Sequence, residues 1–300
     1  MPRSGRPEKT TPRDVRRLVI QARRTLKITY KELLTEVALD PRICKDTAYR
    51  KLKGEDIRKF RCKRKPKIVE STASLRLTFK RRHRGRDRRW RNVRFSDECS
   101  VQINSGGDRE WCFRLPDEAY RHEMVEERST GRPPQQMVWG QIWIDARGRV
   151  RRGPLVIMER DPDAPRNGYT SWSYRRALEQ GLLRNYTEGD LFLQNNAPVH
   201  RAVATAEFLQ EHGIQVVDFP PYSPDLNPIE HMWWMLKRTV HKLYPELATI
   251  GTSEEDWEKF CRALKEAWKA IPCSYIRKII TSMPKRLAAV RRARGYQTKY

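Results

Sequence analysis

LFLQNNAPVHRAVATAEFLQEHGIQVVDFPPYSPDLNPIEHMWWMLKRTV, residues 191–240, is the stretch on which the fold turns. Leu191-Phe192-Leu193 is a short apolar run, expected to be a buried strand, and Gln194-Asn195-Asn196 follows it at once. Val203 to His212 has helical periodicity, and Gln215 to Asp218 reads as another strand. A Pro-rich loop, Phe219 to Asn227, then leads into a helix expected to start at Pro228 with Asn227 as its cap. Ile229, Met232, Trp233, Leu236 and Val240 form its buried stripe. Upstream, Val93 to Ser96 reads as a strand ending in Asp97-Glu98, with further strands over Ser100–Ile103, Glu110–Leu115 and Met137–Ile144. The turn Asp145-Ala146-Arg147-Gly148 returns the chain along Val150 to Met158. Ser171 to Leu183 reads as a helix with Trp172, Ala177 and Leu178 inward, and Ser253 opens another over Trp257, Phe260, Cys261 and Leu264. Strands first, then alternating helices and strands, predict an α/β unit: a mixed sheet flanked by helices.

Working outward, charge divides the chain more sharply than hydropathy does. The net charge is +25, and residues 1–94 carry 32 Lys or Arg against 10 Asp or Glu. The remaining residues carry 30 against 27, so a basic front precedes a nearly neutral body. Such a front is an electrostatic partner for phosphate, because neutralising phosphates releases condensed counterions. The six cysteines include no Cys-x-x-Cys pair, which argues against a zinc module and a disulfide framework and fits a reducing compartment. No run of 18 apolar residues and no signal-peptide pattern occurs, so no membrane is expected. The segment Lys63-Arg64-Lys65-Pro66-Lys67 reads either as a nuclear import signal or as a phosphate-contacting strip. The nucleus is the expected location.

Residues 11–52 read as three short helices. Thr11 with Pro12 and Asp14 opens the first, whose Val15, Leu18, Val19 and Ala22 share a face. Thr29 with Glu32 is a capping box for the second, with Leu33, Leu34 and Val37 inward. The third covers Ile43 to Leu52, with Ala48 and Leu52 inward. A basic third helix suggests a helix-turn-helix over residues 1–60, with Lys45, Thr47, Arg50 and Lys51 directed at DNA. Gly5-Arg6-Pro7 is either a minor-groove arm carried by Arg6 or an ordinary linker. Residues 61–91 read as a basic linker holding a helix near 70–83.

Three positions carry the chemistry. Asp97, Asn195 and Glu230 stand at the end of one strand, just beyond another, and in the first turn of a helix. Polynucleotidyl transfer uses two Mg²⁺ or Mn²⁺ ions about 4 Å apart, held by a few carboxylates while substrate phosphate supplies the remaining oxygens. Each position also has a plain structural reading: Asp97 as a strand end, and Glu230 as the capping-box partner of Asn227.

The segments Phe95-Ser96-Asp97-Glu98, Gln194-Asn195-Asn196-Ala197-Pro198-Val199-His200 and Pro220 to Glu230 together resemble the Tc/mariner superfamily of transposases. Trp139-Gly140, Ser282 to Leu287 and the ending Gly295 to Tyr300 are similar to that family as well. The resemblance implies an RNase H-like catalytic domain over residues 92–300, with two Asp and one Glu holding two metal ions, Mg²⁺ or Mn²⁺. It implies double-stranded DNA as partner, namely terminal inverted repeats and T-A target sites, with a homodimer as a candidate assembly. Thirty-four residues separate Asn195 from Glu230, as thirty-four separate the second and third acids in the Tc branch, so Asn195 stands where the second Asp belongs. Asp97 and Glu230 are then the remaining metal ligands, and Asp190, five residues before Asn195, falls on the opposite face of the strand. Gly5-Arg6-Pro7 resembles the linker between the family's two helix-turn-helix units, so the chain is expected to begin inside that linker. The expected function is terminal-repeat binding with DNA cleavage and strand transfer by ancestry, impaired at Asn195. The alternatives are a decayed or co-opted DNA-binding protein that does not cut, and a metal-dependent nuclease unrelated to transposition.

Overall fold

The computed structural model describes residues 10–60, 65–83, 90–102, 135–251 and 253–300. Arg6, Lys63 and Arg64 and the strand expected over Glu110–Leu115 lie outside the described residues. The chain divides into two compact units, Met1–Arg64 and Lys65–Tyr300.

The first unit holds α1 (Pro12–Arg24), α2 (Tyr30–Val37) and α3 (Lys45–Gly54). Thr11 and Thr29 each accept a hydrogen bond from the backbone N–H three residues on, and Asp14 and Glu32 accept one in return from the cap residue's backbone. Leu18, Ile28, Leu33, Val37, Leu39 and Leu52 close a small core. Val15, Val19 and Ala22 are only half-buried, because three short helices enclose little more than one layer of side chains. α3 begins at Lys45 and not at Ile43, for Cys44 occupies the cap in an extended conformation.

The second unit is built on β1 (Val93–Gln102), β2 (Gln135–Ile144), β3 (Val150–Arg152), β4 (Val156–Ile157), β5 (Leu191–Leu193) and β6 (Gln215–Val216). They form a mixed sheet ordered β3-β2-β1-β5-β6, with β4 also on β2; β1 runs antiparallel to β2 and parallel to β5. Its helices are α4 (Glu70–Arg82), α5 (Ser171–Gly181), α6 (Val203–Glu211), α7 (Glu230–Leu243), α8 (Glu254–Ala270), α9 (Cys273–Ile280) and α10 (Met283–Arg292). Side chains alternate across the sheet, so its two faces belong to different cores. Val93, Phe95, Cys99, Val101, Ile142 and Leu193 join the core shared with α4 and α7 to α10. Trp139 and Phe192 join the smaller core of α5 and α6.

Several boundaries differ from the sequence reading. The strand expected to end at Ser96 runs on through Asp97 and Glu98 to Gln102, because β2 supplies an unbroken antiparallel partner from Gln135 to Ile142. Val150 to Met158 is two short strands, with Gly153 and Pro154 interrupting the ladder between them. The helix expected near 70–83 is α4, and it is part of the second unit and not of a linker, with Arg76 and Phe79 buried. α7 starts at Glu230 and not at Pro228. Trp172 on α5 is half-buried, while Tyr174 takes the interior place.

Candidate active site

The β1–β5 register sets the site. Phe95 lies opposite Leu193, β5 then stops, and the next residues outward on the same face are Asp97 and Asn195. Asn195 Nδ2 donates to Asp97 Oδ1 at 3.2 Å, while Asn195 Oδ1 accepts from the Ala197 N–H at 2.9 Å. The second bond fixes the amide's orientation: the oxygen is committed to the backbone, so the NH₂ group faces the carboxylate. Asp97 Oδ2 accepts from Trp233 Nε1 at 3.0 Å. The Trp233 ring stacks on Trp268 with centroids 5.4 Å apart. A Cβ on Gly140, opposite Asp97, would stand 3.0–3.1 Å from both rings, so glycine there makes room for the stack.

The neighbouring acid points the other way. Glu98, on the α5 face, approaches His200 Nε2 with Oε2 at 3.2 Å. His200 Nδ1 meets the Asn195 carbonyl at 2.9 Å, and its ring lies 4.1 Å from that of Tyr174. Burial pulls the imidazole down, but the Glu98 carboxylate and the Asn195 carbonyl outweigh it, and His200 is raised above its ordinary value. Sequence reasoning gave no site role to Glu98 or His200, and read Trp233 only as part of the buried stripe of α7. His200, five residues after Asn195 in the same motif, was the available signal.

Asp97 is 7% exposed, and its carboxyl is raised well above the usual range by desolvation first and then by the charges of Glu98 and Glu230. Glu230 opens α7 with its side chain exposed. Partial desolvation raises its carboxyl, against the lowering influence of Lys237 and Arg286. The capping-box reading of Glu230 is not realised: the Asn227 backbone N–H donates to the Pro224 carbonyl at 3.0 Å, and its Oδ1 accepts from the Ile229 N–H, while its Nδ2 donates to the Ser96 carbonyl at 2.9 Å. Asn227 therefore ties the start of α7 to β1, one residue before Asp97. Asp190 lies on the other face, as expected, and accepts from the buried Arg94 at 2.7 Å. Among the described residues, no group of three or more His, Cys, Asp or Glu side chains is arranged to hold a metal ion.

A second buried cluster holds the loop that delivers Glu230. Arg76 is fully buried and binds Asp225 with two nitrogens, at 2.7 and 2.6 Å, together with Ser223 Oγ and the Gly295 carbonyl. Thr298 Oγ1 also donates to Asp225, and Arg286 donates to its carbonyl. The loop, α4, α10 and the C-terminal tail are thereby fastened at one point.

The expected DNA-contacting residues fall in different places. Lys45, Thr47, Arg50 and Lys51 all lie on α3. Thr47, Arg50 and Lys51 line a concave face of the first unit with Arg16 and Arg42, neither of which is among the expected DNA contacts. Lys65 instead belongs to the second unit and donates to the Tyr300 carbonyl.

Comparison with known proteins identifies the family and the fold. Residues 169–250 match the family model described as DDE superfamily endonuclease. The chain is 31% identical over 268 residues to the Tc1 transposase of Caenorhabditis elegans, spanning 87% of this chain and 90% of that one. It is 29% identical to the Tcb2 transposase of Caenorhabditis briggsae, over 85% of this chain and 87% of the relative. Among solved structures, the Mos1 transposase paired-end complex with left transposon end superposes with a TM-score of 0.67 at 17% identity, covering all of this chain and 83% of the other. The Mos1 paired-end complex with Mg superposes with a TM-score of 0.65 at 18% identity, covering all of this chain and 84% of the other.

Proposed function

The chain belongs to the Tc/mariner superfamily of transposases, DNA-binding enzymes of cleavage and transposition built on an RNase H-like fold, and from that premise we propose that this copy is catalytically impaired at Asn195. The observation that carries the reading is the hydrogen bond from Asn195 to Asp97. The chemistry of this endonuclease family depends on divalent metal, and Asp97, Asn195 and Glu230 are the three positions that would hold it. The donor set does not fit a pair of dications. Both Asp97 oxygens already accept hydrogen bonds, and Asn195, at the second position, presents N–H donors where a hard cation needs an anionic oxygen. The amide takes up the space and part of the compensating role that a cation would have beside Asp97.

Binding is assigned to the first unit, through Arg50, Lys51 and Thr47 on α3 with Arg16 and Arg42 beside them. Terminal inverted repeats are the proposed substrate and T-A steps the proposed target. The nucleus is the proposed location, and a homodimer the proposed assembly, a reading supported by the paired-end complexes of the Mos1 protein. The result is a protein that occupies DNA and cuts it poorly.

The test compares the wild type, Asn195→Asp, and Asn195→Asp combined with Glu230→Gln, reading Mn²⁺ affinity and nicking of supercoiled DNA. Asn195→Asp is expected to bind Mn²⁺ more tightly and to nick, and the added Glu230→Gln to remove both gains. Equal nicking by the wild type and Asn195→Asp would sink the assignment of Asn195. Full activity in the double variant would remove Glu230 from the site.

A further inference from the structure

Residues 95–300 carry 30 Lys or Arg against 27 Asp or Glu, yet the charged residues that line one groove within them are all cations. The groove has a volume of about 780 Å³ and lies along the β3 edge of the sheet, where Gly153 and Pro154 interrupt the ladder. Arg176 and Arg184, on α5 and the turn after it, form one wall. Lys265 and Lys269, on α8, form the other. Arg152 lies at the edge strand between them, and among the described residues no Asp or Glu lines the space.

These cations are not equivalent. Arg152 donates to the Trp268 and Ile271 carbonyls at the end of α8, so it is committed to the fold. Arg176 lies between Glu159 and Glu179. Arg184, Lys265 and Lys269 are exposed and have no carboxylate partner among the described residues. Lys265 and Lys269 are four residues apart on one helix, so their α-carbons lie about 6 Å apart along its axis. Unpaired cations on both walls of an open groove concentrate positive potential, which attracts a polyanion.

We propose that this groove is a second duplex-binding surface, which takes the phosphate backbone of a DNA segment other than the one held by α3. The proposal rests on the reading of the chain as a DNA-binding transposase and adds to it a site away from Asp97. Joining one DNA to another requires holding two segments, and the nearly charge-balanced residues 95–300 have to grip one of them with a local patch. The apolar wall also reaches the candidate active site. Trp268 lines the groove, donates to the Gly153 carbonyl at 2.9 Å, and stacks on the Trp233 that holds Asp97.

The experiment measures binding of the full chain to a random-sequence duplex over a salt series. Four proteins are compared: the wild type, a groove reversal (Arg184→Glu, Lys265→Glu, Lys269→Glu), a charge-keeping groove variant (Arg184→Lys, Lys265→Arg, Lys269→Arg), and an α3 variant (Arg50→Ala, Lys51→Ala). The reversal is expected to weaken binding at least about tenfold at low salt and to reduce the log–log salt slope by about 2–3, since each lost phosphate contact removes about 0.9. The charge-keeping variant should behave as the wild type, and the groove and α3 effects should add. An unchanged slope in the reversal, with a reduced slope in the α3 variant, overturns the groove and leaves the DNA-binding reading standing. Unchanged slopes in both variants overturn the groove and the assignment of α3 together. Should polyglutamate compete for the groove as well as duplex DNA at equal charge, the site serves an acidic protein segment and the proposal fails.

Discussion

Asp225 and Asp97 are both buried carboxylates in the second unit, 8% and 7% exposed, and they are compensated in opposite ways. Asp225 receives two guanidinium bonds from Arg76 and a third hydrogen bond from Thr298, so its charge is matched entirely from within the chain. Asp97 receives an amide N–H and an indole N–H, both neutral, and faces two further acids. One site is closed by its own side chains and serves the fold. The other leaves a charge deficit, and burying charge without a matching partner is tolerated where something external completes it. The Asn195 amide makes that deficit smaller by donating to Asp97, in the place where the proposed reading puts an anionic ligand.

The largest effect expected from breaking this contrast is a difference of sign. Asp225→Asn leaves Arg76 buried against a neutral amide and should cost about 3–5 kcal/mol in urea denaturation. Asp97→Asn removes an uncompensated buried charge and should leave stability unchanged or raise it in metal-free buffer. Equal losses in the two variants would mean that Asp97 is as well matched as Asp225.

Gly295 tests the same clamp through the backbone. Its φ is +87°, and an added Cβ would stand 2.3 Å from the Ala73 carbonyl oxygen, a backbone atom that cannot turn aside. Gly295→Ala should therefore cost about 2–3 kcal/mol, with the tail released from Arg76. Faster proteolysis of the tail beside an unchanged β1–β5 region by hydrogen exchange would fit. A variant as stable as the wild type would show that the tail is not fastened at Gly295.

Asn195→Asp sharpens the contrast at the other end. Two carboxylate oxygens would then face each other across the present 3.2 Å contact, and metal-free stability should fall by about 1–2 kcal/mol. Mn²⁺ should restore the loss in Asn195→Asp and leave the wild type unmoved. Stabilisation of both by the same concentration of Mn²⁺ would show that Asn195 still leaves a working ion site.

The elements with one clean face were legible in the sequence. α6, α7, α8 and the caps at Thr11, Thr29 and Ser253 announce themselves by period and by a hydroxyl three residues before an acid or its backbone N–H. The family resemblance, with the spacing of Asn195 and Glu230, pointed to the candidate site. What stayed hidden was hidden by charge. Asp97-Glu98 looks like a strand end because two consecutive acids break an apolar run, yet alternation sends one to Trp233 and the other to His200. Arg76 disappears among the Lys and Arg of the front, although it alone of α4's basic residues is fully buried. Asn227 has the spacing of a capping-box partner for Glu230, but its oxygen accepts from Ile229 and its amide donates to the Ser96 carbonyl on a neighbouring strand. Each of these depends on a partner about a hundred or more residues away, which local pattern cannot supply.

The smallest expected effect concerns the far side of β1, where His200 meets Glu98. Because the folded imidazole is raised above its ordinary value, the folded protein holds this proton more tightly than the unfolded chain does. The stability it contributes is fully present below about pH 6.5, the unfolded value, and is lost as the pH rises through the folded value. The groups facing the ring are the Glu98 carboxylate, the Asn195 carbonyl and the Tyr174 ring, so the acid is the only charged partner in direct contact among the described residues. His200→Gln keeps a side chain that can reach the Asn195 carbonyl but cannot titrate. Between pH 6 and 8 the wild type should lose less than about 1 kcal/mol more than His200→Gln does, since a tenfold difference in proton affinity between folded and unfolded states is worth only about 1.4 kcal/mol. Asp97 also loses stability with rising pH, but from the carboxylate range upward and in both proteins alike, so the difference between the two urea series isolates the imidazole. Identical pH dependence in the two would mean that Glu98 and His200 are hydrogen-bonded with no difference in proton affinity between folded and unfolded states, and that the far side of the strand is as neutral as the Asn195 amide on the near side.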